Sequence, residues 1–312
     1  MKVGSSEVAD TEPVPTSPTV AERIRQLLPT LPAAERRVAR VVLANYPVAG
    51  LETIARLASR SGTSGPTVLR LATRLGIGGF SELQQVLRDE LDARERSPLI
   101  AYSSQPELGD DLPATAAAML GQAVTSSVSG VERTDFDQAI DLIMTPKARV
   151  STTGGRFSGV IAEYLAAHLQ QLRSGVSVVR MADRVPSLLD LTRRDVLVVF
   201  DFRRYQADVV NFGRAAVERG AQLVLITDPW MSPLSTVARV VLTAEVAAPS
   251  PFDSLVPCMA LVETLVAGIV AVQGDAPRGR IAQYDEYWAN QYEGLHSRKA
   301  TDETDPVAPA GT

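Results

Sequence analysis

At 312 residues the chain is about twice an ordinary domain, long enough to bury cores without disulfide or metal staples. Apolar residues at 45% and charged residues at 21% are ordinary globular usage, which excludes wholesale disorder and fibrous repeats. The formal net charge of −5 hides an asymmetry: residues 20 to 80 hold nine arginines against three acids, a net of +6, so a local basic region stands against an acidic remainder.

Residues 1–19 are rich in Pro, Ser, Thr and acids without periodicity and read as a disordered tail, as do residues 294–312. The opening residues lack a basic-then-apolar leader, which points to a cytoplasmic protein. With Cys258 the single cysteine and only His168 and His296, no disulfide, metal site or Cys–His nucleophile is expected. His168 reads as a partly buried structural histidine. Glu163 and Glu263 fit helix faces and pair with no acid at readable spacing.

Residues 20–96 carry apolar residues at helical spacing, for example Ile24, Leu27 and Leu28, then Val38, Val41 and Val42, then Val68, Leu71 and Leu75. The last helix is predicted to start at a Ser81 cap. Within ETIARLASRSGTSGPTVLRLATRL, a short helix ends at Ser61-Gly62 and a second opens at Ser64-Gly65-Pro66. Ala58 is small where helices must meet, Gly62 can take the positive φ of a tight turn, and Pro66 near a helix start needs no amide donor. This is a helix-turn-helix pattern. Ser64, Thr67, Arg70 and Arg74 fall on the presumed outer face of the second helix, where hydroxyls and guanidinium groups suit the phosphates and guanine edges of double-stranded operator DNA. An ordinary helical hairpin with solvated arginines also fits the spacing; cap, turn and local charge together favour DNA binding.

Residues 97–113 concentrate Pro, Ser, Gly and Asp and read as a linker. From 114 to 293, strand-like bursts (148–152, 176–179, 196–200, 223–226 and 240–242) alternate with amphipathic segments at 158–173, 206–219 and 254–273, after leading helices at 112–127 and 133–144. The fold class expected is an all-α helix-turn-helix domain followed by an α/β domain, a parallel sheet flanked by helices. The apolar run 255–272 contains Pro257 and Glu263 and reads as a buried core or interface helix, so no membrane partner is expected. At the first strand-to-helix junction, Gly154, Gly155 and Ser158 could bring amides and a hydroxyl to an anionic ligand, although such a loop is often only a tight turn. The loop 227–233 lies at the carboxyl edge, where ligands of open α/β sheets usually sit.

The run from Glu52 to Leu87, including Leu75-Gly76-Ile77-Gly78-Gly79-Phe80, resembles the amino-terminal domain of RpiR-type bacterial transcriptional regulators. The segments STTGGRFSGVIAEYLAAHLQQL and DVLVVFDFRRYQADVVNFGRAAVERGAQLVLITD resemble strand-loop-helix units of the sugar isomerase (SIS) domain of those regulators. The resemblance implies a phosphosugar-recognising SIS-like fold over 114–293, serving effector binding and dimerisation. The family's Ser-x-Ser-Gly-x-Thr loop is replaced here by Asp201, Arg203, Arg204 and Gln206 at the matching positions. Arg204 cannot take a positive φ cheaply, so the resemblance does not carry the family's amide cradle over to this loop; Arg203 or Arg204 could instead grip an anion, and Asp201 a hydroxyl or an arginine. An internal Asp–Arg pair that merely stiffens the loop fits these residues equally well. The expectation is a non-enzymatic transcription regulator, a homodimer or homotetramer tuned by a small polar or anionic, sugar-phosphate-like effector. The alternative is a sugar-phosphate isomerase-type enzyme with an accessory helical domain.

Overall fold

The computed structural model describes residues 18–44, 46–95, 99, 102 and 111–302; the tail at 1–17 and most of the expected linker lie outside the described residues. The helical unit begins with α1 (Val20–Leu27), closed by a reciprocal cap in which Thr19 Oγ1 accepts from Glu22 N and Glu22 Oε2 accepts from Thr19 N at 2.8 Å. Then come α2 (Ala33–Ala44), a 3-10 turn (Val48–Leu51), α3 (Ile54–Arg60), α4 (Gly65–Arg74) and α5 (Phe80–Glu95). Ile24, Val38, Val42, Leu57, Val68, Leu71 and Leu87 interlock as one core. The α5 helix starts a residue earlier than Ser81, with the Glu82 carboxylate taking the Gly78 amide at 2.8 Å.

The second unit runs α6 (Leu112–Ser129), α7 (Arg133–Ile143), β1 (Val150–Gly154), α8 (Gly159–Leu172), β2 (Val176–Val178), a 3-10 turn into α9 (Arg184–Asp190), β3 (Val196–Asp201), α10 (Ala207–Glu218), β4 (Gln222–Thr227), β5 (Val240–Thr243), α11 (Val256–Gln273) and α12 (Arg278–Asp302). The five strands form a parallel sheet in the order β2-β1-β3-β4-β5. All six residues of β3 are buried, as a central parallel strand covered on both faces requires. Val198, Phe200, Val224 and Ile226 pack with α7, α8 and α11 on one face, and Leu197, Val199, Leu223 and Leu225 pack with α10 on the other. The order steps outward in both directions from β1 and β3, so the loops after those strands frame a crevice at the carboxyl edge.

Helix α11 is long and apolar enough to cross a membrane, and it buries Cys258, Leu261, Val262, Leu265 and Ile269 in the domain core. Burial pushes the Cys258 thiol well above its ordinary range, which leaves it an inert apolar filler. Helix α12 continues to Asp302, past residue 294, where an unstructured tail is expected; Tyr284 and Trp288, four residues apart, stack along it. The two units meet where Thr19 Oγ1 donates to the Pro229 carbonyl at 3.4 Å, beside a small cavity of about 190 Å³.

Candidate DNA-reading surface and effector cleft

Gly62 takes φ +58 in the turn between α3 and α4, and Arg37 from α2 donates to the carbonyls of Ser61 and Gly62 at 3.3 Å each. A cation on the carbonyls just past the end of α3 complements the negative end of the helix dipole and fixes the turn. Ser64 holds the N-cap position, but its hydroxyl meets Thr67 Oγ1 at 3.1 Å and caps no amide. Thr67 corrects the sequence expectation: it is only 4% exposed and belongs to the inner stripe with Val68 and Leu71. From there Thr67 Oγ1 accepts from Arg70 at 2.9 Å, so it orients that outward arginine from beneath.

Arg70 and Arg74 stand outward, with side chains 58% and 53% exposed. Both lean on Glu35 of α2, itself 4% exposed, whose carboxylate oxygens lie 3.5 Å from Arg70 Nε and 2.6 Å from Arg74 Nε. A buried acid thus pins α4 to α2 and aims two cations off the surface. Sequence reasoning missed Glu35 because its partners lie more than thirty residues away. It also overcounted free charge: Arg23 donates to Leu75 O at 3.2 Å, Arg36 to Leu31 O at 2.8 Å, and Arg56 and Arg60 pair with Glu52.

The second site is a cleft of about 620 Å³ at the carboxyl edge, between the β1–α8 loop, the β3–α10 loop and residues 251–255. Gly154 lets β1 pass close to α8: a methyl there would fall 2.8 Å from Ser158 C and O and from Gly159 N. Arg184 of α9 seals the same corner by donating to Gly154 O at 2.8 Å while pairing with Asp208. Ser158 is buried, donating to Phe200 O at 2.7 Å and accepting from Gly155 N at 2.9 Å.

In the β3–α10 loop, Arg204 does adopt φ +67, the left-handed conformation that its side chain argued against, so the tight turn persists without glycine. Asp201 is buried and accepts from Ser232 Oγ at 2.5 Å. Arg203 is engaged by Asp253 through Nε at 2.7 Å and a second N–H, and its guanidinium lies 5.3 Å from the Trp230 ring centre. The arginine pair thus divides: Arg203 staples the loop to residue 253, and Arg204 and Arg156 stand exposed at the cleft, neither ion-paired among the described residues. Beneath, Asp228 Oδ1 accepts from Tyr205 Oη at 2.6 Å and Trp230 N at 3.0 Å, and burial raises its carboxyl to about 6. Glu163 pairs with Arg180 at 3.2 Å, Glu263 accepts from Tyr164 Oη at 3.1 Å, and His168 packs edge-on to Tyr164; none of the three lines the cleft.

Fold and site together define a two-domain protein, a helix-turn-helix unit carried by a five-stranded parallel α/β unit. The family comparisons agree with that division: residues 19–94 match the helix-turn-helix domain of the rpiR family, and residues 143–268 match the SIS domain. The chain thus carries an rpiR-family helix-turn-helix domain followed by a SIS domain. It is 29% identical over 236 residues to the bifunctional protein glk of Burkholderia mallei, covering 73% of this chain but only 35% of that protein, so it spans about a third of that relative's length. It is 27% identical over 266 residues to the HTH-type transcriptional regulator HexR of Pseudomonas aeruginosa, covering 83% of this chain and 90% of the regulator. Among solved structures, the sugar isomerase domain of an RpiR transcription factor from Sphaerobacter thermophilus superposes with a TM-score of 0.54 at 22% identity, over 57% of this chain and 99% of that one. The NanR protein of Vibrio vulnificus, complexed with ManNAc-6P, superposes at 0.50 and 20% identity, over 86% and 97%.

Proposed function

We propose that this protein is a cytoplasmic DNA-binding transcriptional regulator whose operator affinity is set by a small anionic metabolite in the SIS-domain cleft. The observation that carries the reading is the outward pair Arg70 and Arg74, fixed on the second helix of a helix-turn-helix by the buried Glu35. Guanidinium groups on such a helix can present two donors to a guanine edge, while the turn and helix start approach phosphates. A single head offers little contact, so the working form is a two-fold assembly reading paired half-sites. Similarity to HexR supports the regulatory role, and the phosphosugar bound by NanR supports a metabolite-sized anion as effector. Regulation rather than isomerisation is further favoured by the two carboxylates that line the cleft among the described residues: Asp201 is engaged by Ser232 and Asp253 by Arg203, so neither is poised as an acid or base.

The deciding experiment is selection of genomic fragments by the purified protein, followed by binding titrations of the enriched fragment at several salt concentrations. The expected result is one enriched sequence class with two related half-sites and an affinity that falls steeply as salt rises. Retention of random fragments with no enrichment would overturn the reading.

A further inference from the structure

The glycine loop at the head of α8 has the form of an anion cradle, but it already holds an oxygen. Gln206, at the N-cap position of α10, makes no cap bond with its own helix and instead reaches across the cleft, where its Oε1 accepts the Arg156 amide. A methyl on Gly155 would lie 2.5 Å from that oxygen and 3.4 Å from Ser158 Oγ, so the side chain sits directly against the loop. Two neighbouring amides are satisfied as well: Gly155 N donates to Ser158 Oγ at 2.9 Å and Phe200 O at 3.3 Å, and Gly159 N donates to Gly155 O at 2.9 Å. Ser158 has spent its hydroxyl proton on Phe200 O. An anion entering this loop must displace the Gln206 carbonyl, and the Ser158 hydroxyl, already committed, does not compensate.

The charge available to a ligand lies instead at the opening. Arg156 and Arg204 are exposed and carry no ion pair among the described residues, and Arg156 rests 5.3 Å from the centre of the Phe157 ring. Phe157 and Phe252 are both well exposed on the same cleft, where Leu255 adds to an apolar wall. Guanidinium forks beside aromatic faces suit a planar carboxylate on an apolar body, whereas the Gly155 and Arg156 amides and the Ser158 hydroxyl that the α8 loop would offer a phosphate are already committed. We infer that Gln206 is the specificity-determining residue of the cleft, an internal plug that excludes a phosphate from the α8 loop and shifts effector preference to an organic carboxylate held by Arg156 and Arg204. This inference rests on the reading of the cleft as the effector site.

Calorimetry on the full-length protein tests it with two probes, glucose 6-phosphate and 3-phenylpropionate. Wild type is expected to bind phenylpropionate and to give no heat with glucose 6-phosphate at 1 mM; Gln206→Ala should gain about tenfold or more in affinity for the phosphate. Gln206→Glu keeps an oxygen in the loop and adds negative charge, so it should still refuse the phosphate, which separates unplugging from general loosening. Arg204→Ala should weaken phenylpropionate binding about tenfold without opening the phosphate site. Tight glucose 6-phosphate binding by wild type, no gain in Gln206→Ala, or no phenylpropionate binding by wild type would each overturn the inference. Because the readout is direct binding, a cleft that binds as described but leaves operator affinity unchanged would count against the regulatory reading alone.

Discussion

The outer face of α4 and the corner of the cleft use the same ion pair with opposite polarity. In the helical domain the acid is buried and the arginines are displayed: Glu35 lies inside while Arg70 and Arg74 project into solvent. At the corner of the cleft the arginine is the inner partner: the Arg184 side chain is 8% exposed against 42% for Asp208, whereas Arg149 and Asp195 elsewhere in the α/β domain keep the acid inside. Arg70 and Arg74 present guanidinium groups to solvent, whereas Arg184 has committed its two terminal nitrogens to Asp208 and the Gly154 carbonyl and acts as a staple. Arginine content alone therefore says little about binding; what decides is how many donors each arginine has left, and Arg149, outward on the buried Asp195, has committed its own to Asp195 and the Asp190 carbonyl.

The strongest break of this contrast is the double variant Arg70→Ala with Arg74→Ala. It is expected to lower operator affinity about a hundredfold or more, from ~1–3 kcal/mol per lost guanine contact, as read by anisotropy on the selected fragment. The same change strands Glu35 and should lower the melting temperature; adding Glu35→Gln should restore the melting temperature but not the binding. Restored binding in the triple variant would mean the arginines matter only for folding.

Next in size is Gly154→Ala, whose methyl would meet backbone atoms of Ser158 and Gly159 at 2.8 Å; a loss of about 2–3 kcal/mol in denaturant unfolding of the α/β domain is expected. A smaller loss, about 1–2 kcal/mol, is expected for Arg184→Met, which leaves Gly154 O without its donor while the half-exposed Asp208 rehydrates. Operator affinity without effector should be unchanged in both. A loss in either would show that this corner also serves DNA reading.

The smallest effect is on pH dependence. Glu90 of α5 accepts the Val20 amide at 2.8 Å, and burial raises its carboxyl from 4.5 to about 7. Between those values the folded chain holds a proton that the unfolded chain has released, so this contribution to stability is full below about pH 4.5 and is lost as pH rises through 7. Asp228 acts in the same direction, from 3.8 to about 6. Glu90→Gln should therefore flatten the decline in melting temperature between pH 5 and 8; an unchanged slope would remove Glu90 as its source.

Local chemistry made much of the fold legible. The strand starts and the helices at 159–172 and 207–218 follow from apolar bursts and helical spacing, and the α3–α4 turn follows from Gly62 with Ala58 and Val68. Helix α9 escaped notice because Pro186 interrupts a segment of only seven residues whose one buried residue is an arginine. The site was less legible than the fold. Thr67 reads as outward from its spacing to Arg70 and Arg74, yet the 3.6-residue repeat sets it on the edge shared with Val68 and Leu71, and packing on α2 turned it in.

Sequence alone determined the division into a basic helix-turn-helix and an acidic parallel α/β domain, because charge, periodicity and turn residues act over a few neighbours. Tertiary structure decided which charged groups are free. The contacts of Glu35 with Arg74, Asp253 with Arg203 and Gln206 with Arg156 span 39 to 50 residues, and the donor or acceptor each one commits is fixed only when distant loops close on one another.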